Sequence, residues 1–135
     1  LRKSIVQRSS KVGNGESVQS IAFASRGGAL PYRSLSVQAT GLVVKSSPGT
    51  LFSINAHNLN AAVRYLKFYD KATAATEADT PKFTFALPIG ALAPITFPAG
   101  VKFENGIGIR SVTELADAGT TGATANETIV NLTYK

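Results

Sequence analysis

The sequence predicts an all-β protein, an antiparallel β-sandwich of about eight strands with a jelly-roll or Greek-key connection. Apolar and polar residues alternate with a period of two in several short segments, which is typical of strands with one buried face. Glycine and proline turn signals recur about every 8–12 residues, and no segment shows a convincing helical period. With 135 residues, of which 44% are hydrophobic, the chain is long enough for one domain with a modest core.

Residues 1–34 differ in composition from residues 35–135, and we predict an extended N-terminal arm followed by a sandwich domain. The arm is rich in serine and glycine and carries few apolar residues, so it could not bury enough surface to fold alone. It holds six basic residues and one acidic residue, 6 − 1 = +5, whereas residues 35–135 hold eight and seven, 8 − 7 = +1. Such a segment contacts an acidic surface or nucleic acid, or it is a solvated tail that aids solubility.

The predicted contacts of the arm are its basic side chains and two apolar anchors, Ile21 and Phe23, which would become ordered against a neighbouring molecule. Pro31 favours extended backbone and argues against a helix at the end of the arm. The basic side chains are those of Arg2, Lys3, Arg8, Lys11, Arg26 and Arg33.

A central hairpin is predicted over residues 50–70, where two amphipathic segments flank a polar turn. Pairing Ile54 with Leu66 places the apolar side chains of both segments on one face and leaves residues 59–61 as the loop. A slip of one residue would bury Lys67 instead, which favours this register. The predicted core face comprises Phe52, Ile54, Leu66 and Phe68.

The other strands follow from the same alternation. A first strand is predicted at 34–44, with Gly41 as a bulge or bend. The polar connection 71–81 is rather long, so we expect it to cross between the sheets. The segment 115–126 is rich in glycine, alanine and threonine, and we expect an exposed loop without fixed structure. Further strands are predicted at 82–87, 95–97, 101–103, 107–112 and 127–134.

No set of side chains predicts catalysis, a metal site or a cofactor. Cysteine is absent from the sequence, which excludes disulfides and thiolate ligands. The single histidine, His57, has no carboxylate cluster near it in sequence, so it predicts no metal site. Asp70, Glu77 and Asp79 form the closest approach to an acidic cluster, but their spacing matches no calcium loop and indicates a solvated connection.

One stripe of side chains could bind a ligand or a subunit. Tyr65, Lys67 and Tyr69 alternate with the predicted core residues of the same strand, so they are expected on its exposed face. A stripe of basic and aromatic side chains on a sheet can bind single-stranded nucleic acid or sugars. Such a stripe is more often a second sheet surface that packs against a neighbouring subunit.

Four segments resemble a widespread class of small tailed-phage and prophage proteins. Residues 58–72 read NLNAAVRYLKFYDKA, residues 80–81 are a Thr-Pro strand start, residues 98–103 read PAGVKF, and residues 130–135 read VNLTYK. The resemblance covers residues 50–135 and leaves the arm unmatched. It implies a virion structural protein with a β-sandwich, such as a capsid decoration or cement protein, and it implies no enzyme.

Composition and resemblance together predict a decoration protein on the surface of the phage head. It would stabilise the head by bridging subunits of the major capsid protein through its arm, as a homo-oligomer for which we favour a trimer, without a membrane partner. The alternative is a tail- or fibre-associated module that binds host glycans through its loops or the stripe of residues 65, 67 and 69. A further alternative, binding of nucleic acid by the basic arm, would give a steep salt dependence.

Overall fold

The computed structural model describes residues 27–135, and this part of the chain is all-β, as predicted, with nine strands. No helix in it is long and apolar enough to cross a membrane. The strands are β1 (Leu30–Ser34), β2 (Leu42–Lys45), β3 (Gly49–Asn58), β4 (Arg64–Asp70), β5 (Phe83–Leu87), β6 (Gly90–Ala91), β7 (Ile95–Phe103), β8 (Ile107–Val112) and β9 (Thr128–Tyr134).

The strands form two antiparallel sheets that face each other across the core. The first sheet has the order β1-β9-β3, with both β6 and β7 on the far side of β3, and the second sheet has the order β2-β8-β4-β5. Because β6 and β7 pair with successive parts of the same edge of β3, the first sheet is four strands wide, like the second. Most connections cross from one sheet to the other. This arrangement is a jelly roll, which confirms the predicted fold class.

The predicted central hairpin is wrong, because β3 and β4 lie in different sheets. Ile54 pairs with Leu132 and Ile95 in the first sheet, whereas Leu66 pairs with Ser111 and Phe85 in the second. Residues 59–63 cross between the layers instead of closing a hairpin. The alternation of apolar residues is the same in both arrangements, because it fixes which side of a strand is buried and not which strand lies beside it.

The prediction for the connection 71–81 is also wrong. We predicted a crossing between sheets, but β4 and β5 pair directly in the second sheet, with Phe68 opposite Phe83 and Arg64 opposite Leu87. The long segment therefore returns the chain within one layer. A hydrogen bond from the Lys82 amide to the Phe68 carbonyl, at 2.6 Å, closes it at the start of β5.

The core contains most of the predicted apolar positions. Ile54, Leu66 and Phe68 are fully buried, which confirms their place on the core face. A shift of register between Leu51 and Ser53 buries Leu51 and leaves Phe52 only partly buried. The predicted place of Phe52 in the core is therefore wrong, because a bulge reverses the alternation at this point.

The first sheet begins before the predicted domain boundary at residue 35. Residues 30–34, which we assigned to the arm, form β1 and pair along their whole length with β9. The strand predicted at 34–44 is divided, since only Leu42–Lys45 forms β2. Gly41 lies in the segment between β1 and β2, where there is no room for a side chain. A Cβ at this position would be 2.5 Å from the backbone N and O of Ala75.

Candidate functional site

The stripe predicted to be exposed on β4 is largely covered. Lys67 is 0% exposed and Tyr69 is 1% exposed, and Tyr65 is partly buried. These side chains do lie on the face of β4 opposite the core, but loops pack over that face. The stripe is therefore not an open surface for a sugar, a nucleic acid strand or a subunit, and its prediction as an exposed site is wrong.

Beneath the loops lies a buried cationic cluster that consists of Lys67 and Arg110. The two residues are paired neighbours on β4 and β8. Lys67 Nζ donates a hydrogen bond to the Ala116 carbonyl. Burial lowers the pKa of Lys67, the positive charge of Arg110 lowers it further, and the carboxylates of Asp117 and Glu114 act in the opposite direction.

Arg110 is 1% exposed, and three of its N–H groups have protein partners. Its Nε donates to the Ala39 carbonyl at 2.7 Å, its Nη1 to the Tyr69 hydroxyl at 3.1 Å and its Nη2 to the Gly119 carbonyl at 2.9 Å. The guanidinium thus connects β8 to two loops that cover the second sheet. Sequence reasoning did not single out Arg110, because nothing in its local pattern shows which strand lies beside it.

The loop at 115–126 has more definite contacts than predicted. Its carbonyls at Ala116 and Gly119 accept hydrogen bonds from the cationic cluster, and Ala123 is buried. The Ala123 amide also donates to the Ser111 carbonyl on β8. Small side chains gave no packing signal, but backbone carbonyls fix this loop, so the expectation of no fixed structure is corrected.

A cavity of about 340 Å³ opens beside the cationic cluster. Backbone and small side chains from two loops form most of its wall, and Arg110 and Glu77 are the charged residues that border it. The other lining residues are Ala39, Thr40, Gly41, Ala74, Ala75, Thr76 and Thr120.

The predicted acidic cluster separates into two structural carboxylates and one exposed residue, Glu77. Asp70 accepts hydrogen bonds from the amides of Glu104, Asn105 and Gly106 at 2.9, 2.7 and 3.4 Å. Asp70 thus fixes the turn at residues 104–106. Within residues 27–135 there is no group of three or more histidine, aspartate or glutamate side chains that could hold a metal ion.

The second structural carboxylate is Asp79, which closes the loop before β5. It accepts a hydrogen bond from Lys71 Nζ at 2.7 Å and another from the Thr76 amide at 2.8 Å. The hydrogen bond from Lys71 and that from Thr76 lower the pKa of Asp79, against a smaller opposing effect of burial. Its hydrogen bonds therefore order residues 71–79.

Replacing Asp70 with asparagine is expected to lower the free energy of unfolding at pH 7 by about 1 kcal/mol, a modest value because the carboxylate is partly exposed. Burial raises the pKa of Asp70, but the three amide hydrogen bonds and the charge of Lys82 outweigh this effect. The pKa of Asp70 in the folded protein therefore lies below its ordinary value of 3.8. A lowered pKa stabilises the fold above the ordinary value, and this contribution is lost as the pH falls through the folded-state pKa. Urea denaturation at pH 7 and pH 3 measures both effects.

The matched control for this prediction is Glu104→Gln. Glu104 lies next to the same turn, but its carboxylate is 67% exposed and only 3.7 Å from the exposed Lys102 ammonium. We expect a change within about 0.5 kcal/mol at either pH. A difference between wild type and Asp70→Asn that does not shrink on acidification would contradict the assigned role of the carboxylate.

The outer face of the first sheet carries polar side chains, most of them partly buried. Ser53 and Thr133 share a hydrogen bond of 2.6 Å between their hydroxyl groups, and His57 Nε2 lies 3.1 Å from Asn55 Oδ1. Arg33 is exposed on β1, opposite Asn131 in the pairing register. His57 is therefore one member of a polar surface and has a neutral amide beside it.

The predicted arm contacts other than Arg33 lie outside the described residues. These are Arg2, Lys3, Arg8, Lys11, Ile21, Phe23 and Arg26. Arg33 lies on the outermost strand of the first sheet, so the chain enters the sandwich at the rim of that sheet.

Comparisons with known proteins do not assign this chain to a family. No family model matches it, and neither the curated proteins nor the solved structures contain a match. The resemblance to small tailed-phage and prophage proteins, and all that it implies about partners and location, therefore stays a prediction.

Proposed function

We propose that this protein is a structural component of a phage virion, a decoration protein that binds the surface of the head and bridges subunits of the major capsid protein. The observation that carries the proposal is that most of the excess positive charge lies in residues 1–26, before the first strand of the sandwich. Residues 1–26 hold five basic residues and one acidic residue, 5 − 1 = +4, and they precede the outermost strand of a compact jelly roll. A cationic leader at the rim of a rigid body suits attachment to an acidic surface.

The fold is compatible with this role by analogy. Jelly rolls occur in viral capsid domains and in lectins, so the fold alone does not decide between the two. The glycan-binding alternative loses one of its two predicted surfaces, the stripe, because Lys67 and Tyr69 are buried under loops. Its other predicted surface, the loops, is unaffected. Formation of a homotrimer would join three leaders in one particle and raise the avidity for the head without any new contact.

Deleting residues 1–26 is expected to weaken binding to purified empty heads at least about tenfold, because each exposed cation contributes about 0.2–1 kcal/mol to contacts with acidic groups. The deletion ends before Leu30 so that β1 remains paired with β9. Co-sedimentation with heads at several salt concentrations measures the affinity.

A full-length variant with glutamine at positions 2, 3, 8, 11 and 26 is the matched control, because it removes the five charges and keeps the length. It should bind more weakly than wild type and show a reduced dependence on salt, and any affinity that it keeps above the deletion measures the apolar anchors Ile21 and Phe23. Undiminished binding by the deletion variant would remove the leader from the mechanism. Saturable binding to a glycan array, together with no binding to heads, would favour the alternative.

A further inference from the structure

Two buried cations lie side by side in the second sheet without a carboxylate in contact. The ion pairs among residues 27–135 are Arg64 with Glu127, Lys71 with Asp79 and Lys102 with Glu104, so neither Lys67 nor Arg110 takes part in one. Their protein partners are carbonyl and hydroxyl oxygens. Buried charges are ordinarily paired. Here the carboxylates of Asp117 and Glu114 favour the charged form of Lys67, but they do so without an ion-pair contact.

The guanidinium of Arg110 retains capacity for a further partner. It has five N–H donors, of which three donate to the Ala39 carbonyl, the Tyr69 hydroxyl and the Gly119 carbonyl. The two that remain, one on each terminal nitrogen, have no acceptor among the described residues. A planar fork of this kind matches the oxygen atoms of a carboxylate or a phosphate.

Arg110 is almost fully buried, and the cavity is bordered by its side chain. Its volume of about 340 Å³ is at the lower end of the range found for small-molecule sites. Thr40 and Thr120 are exposed residues of its lining, and their hydroxyl groups can donate to an oxygen atom. Gly41 and Ala75 approach each other closely in the wall, since a Cβ at Gly41 would lie 2.5 Å from the backbone N and O of Ala75.

We propose that this cavity binds a small oxyanion, a carboxylate or a phosphate group, with Arg110 as the principal contact and Lys67 adding positive charge from behind. The inference does not rest on the proposed virion role. Glu77 opposes binding, because its carboxylate borders the same cavity. It is exposed at the rim, so its charge is screened by solvent, whereas the cations act from the buried side.

The test is a titration of the full-length, ¹⁵N-labelled chain with inorganic phosphate and, separately, with glucuronate, at constant ionic strength. We expect saturable changes of amide chemical shift at residues 39–41, 74–77 and 120, with a Kd of about 1 mM or lower. Tighter binding of phosphate would indicate a phosphate ester as the natural ligand, and tighter binding of glucuronate would indicate a carboxylate; either result supports the site. Shifts that do not saturate, or that map elsewhere, would overturn it.

Two surface variants test the site without disturbing the core. Ala74→Phe places a ring at the exposed rim and should weaken binding at least tenfold while the melting temperature stays the same. Glu77→Gln removes the opposing carboxylate and should tighten binding about threefold. Lys102→Gln removes an exposed lysine from a different part of the surface and should change nothing. Equal affinities in the wild type and all three variants would overturn the proposal, because non-specific binding of anions would not depend on residues that line the cavity.

Discussion

Replacing Glu127 with alanine is expected to lower the free energy of unfolding by about 3–5 kcal/mol. Glu127 forms an ion pair with Arg64, and the side chains of the two residues are only 7% and 11% exposed. Removing the carboxylate leaves the guanidinium buried without a counter-ion, which is far more costly than losing the pair as a whole. Urea denaturation measures the loss.

The effect is large because Glu127 also fixes two loops. Its Oε1 atom accepts a hydrogen bond from the Asn60 side-chain amide at 3.2 Å and one from the Thr124 amide at 3.3 Å. Asn60 belongs to the connection that crosses from β3 in the first sheet to β4 in the second. One buried carboxylate therefore connects the start of β9 to the crossing segment and to the loop that precedes β9.

The control is the double variant Arg64→Met/Glu127→Leu, which removes both charges and keeps apolar volume. It should recover a large part of the stability lost in Glu127→Ala, because no unpaired charge remains. Burial raises the pKa of Glu127, but hydrogen bonds from Arg64 and Thr124 and the charge of Arg64 give a net lowering. The stability from the pair is therefore present above the ordinary pKa of 4.5 and is lost as the pH falls through the lower folded-state value. A loss below 1 kcal/mol in Glu127→Ala at pH 7 would contradict this account.

The sequence predicted the buried sides of the strands better than their neighbours. The alternation of Leu66 and Phe68 with Lys67 identified the core face of β4, and Val130 and Leu132 did the same for β9. Pairing depends on which strands meet across the sheet, and local alternation carries no information about that. The choice between a hairpin and a crossing at residues 59–63 therefore could not be made from the sequence.

The candidate site was beyond sequence reasoning for a related reason. We expected Lys67 in solvent because a lysine with polar and aromatic neighbours on one face is typical of an exposed surface. The structure covers it with a loop whose Ala116 carbonyl lies 49 residues along the chain. The carbonyls that bind Arg110 come from Ala39, 71 residues away, and from Gly119, nine residues away. Alanine and glycine supply those carbonyls without any side-chain signal, so no pattern in the sequence marks them as partners of a cation.

The pairing of β4 with β5 can be tested through its aromatic side chains. Phe68 is fully buried, and its ring meets the rings of Phe83 and Phe85 edge to face, with centroids 6.4 and 5.9 Å apart. Phe68→Ala is expected to cost about 3–5 kcal/mol of unfolding free energy, because it removes these contacts and leaves a cavity between the sheets. Phe97 is a matched aromatic control, since it is only partly buried and stacks on Phe83 at 5.8 Å.

Phe97→Ala should cost distinctly less than Phe68→Ala, because Phe97 is only partly buried and removes less apolar surface from water. A double-mutant cycle between Phe68 and Phe83 should give a coupling energy of about 0.5–1.5 kcal/mol, the range for aromatic pairs in contact. If residues 71–81 crossed between the sheets, as the sequence predicted, Phe68 and Phe83 would not be cross-strand partners and we would expect the coupling to vanish. The cycle thus measures in solution whether residues 71–81 return the chain within one sheet, which is the point at which the sequence and the structure differ.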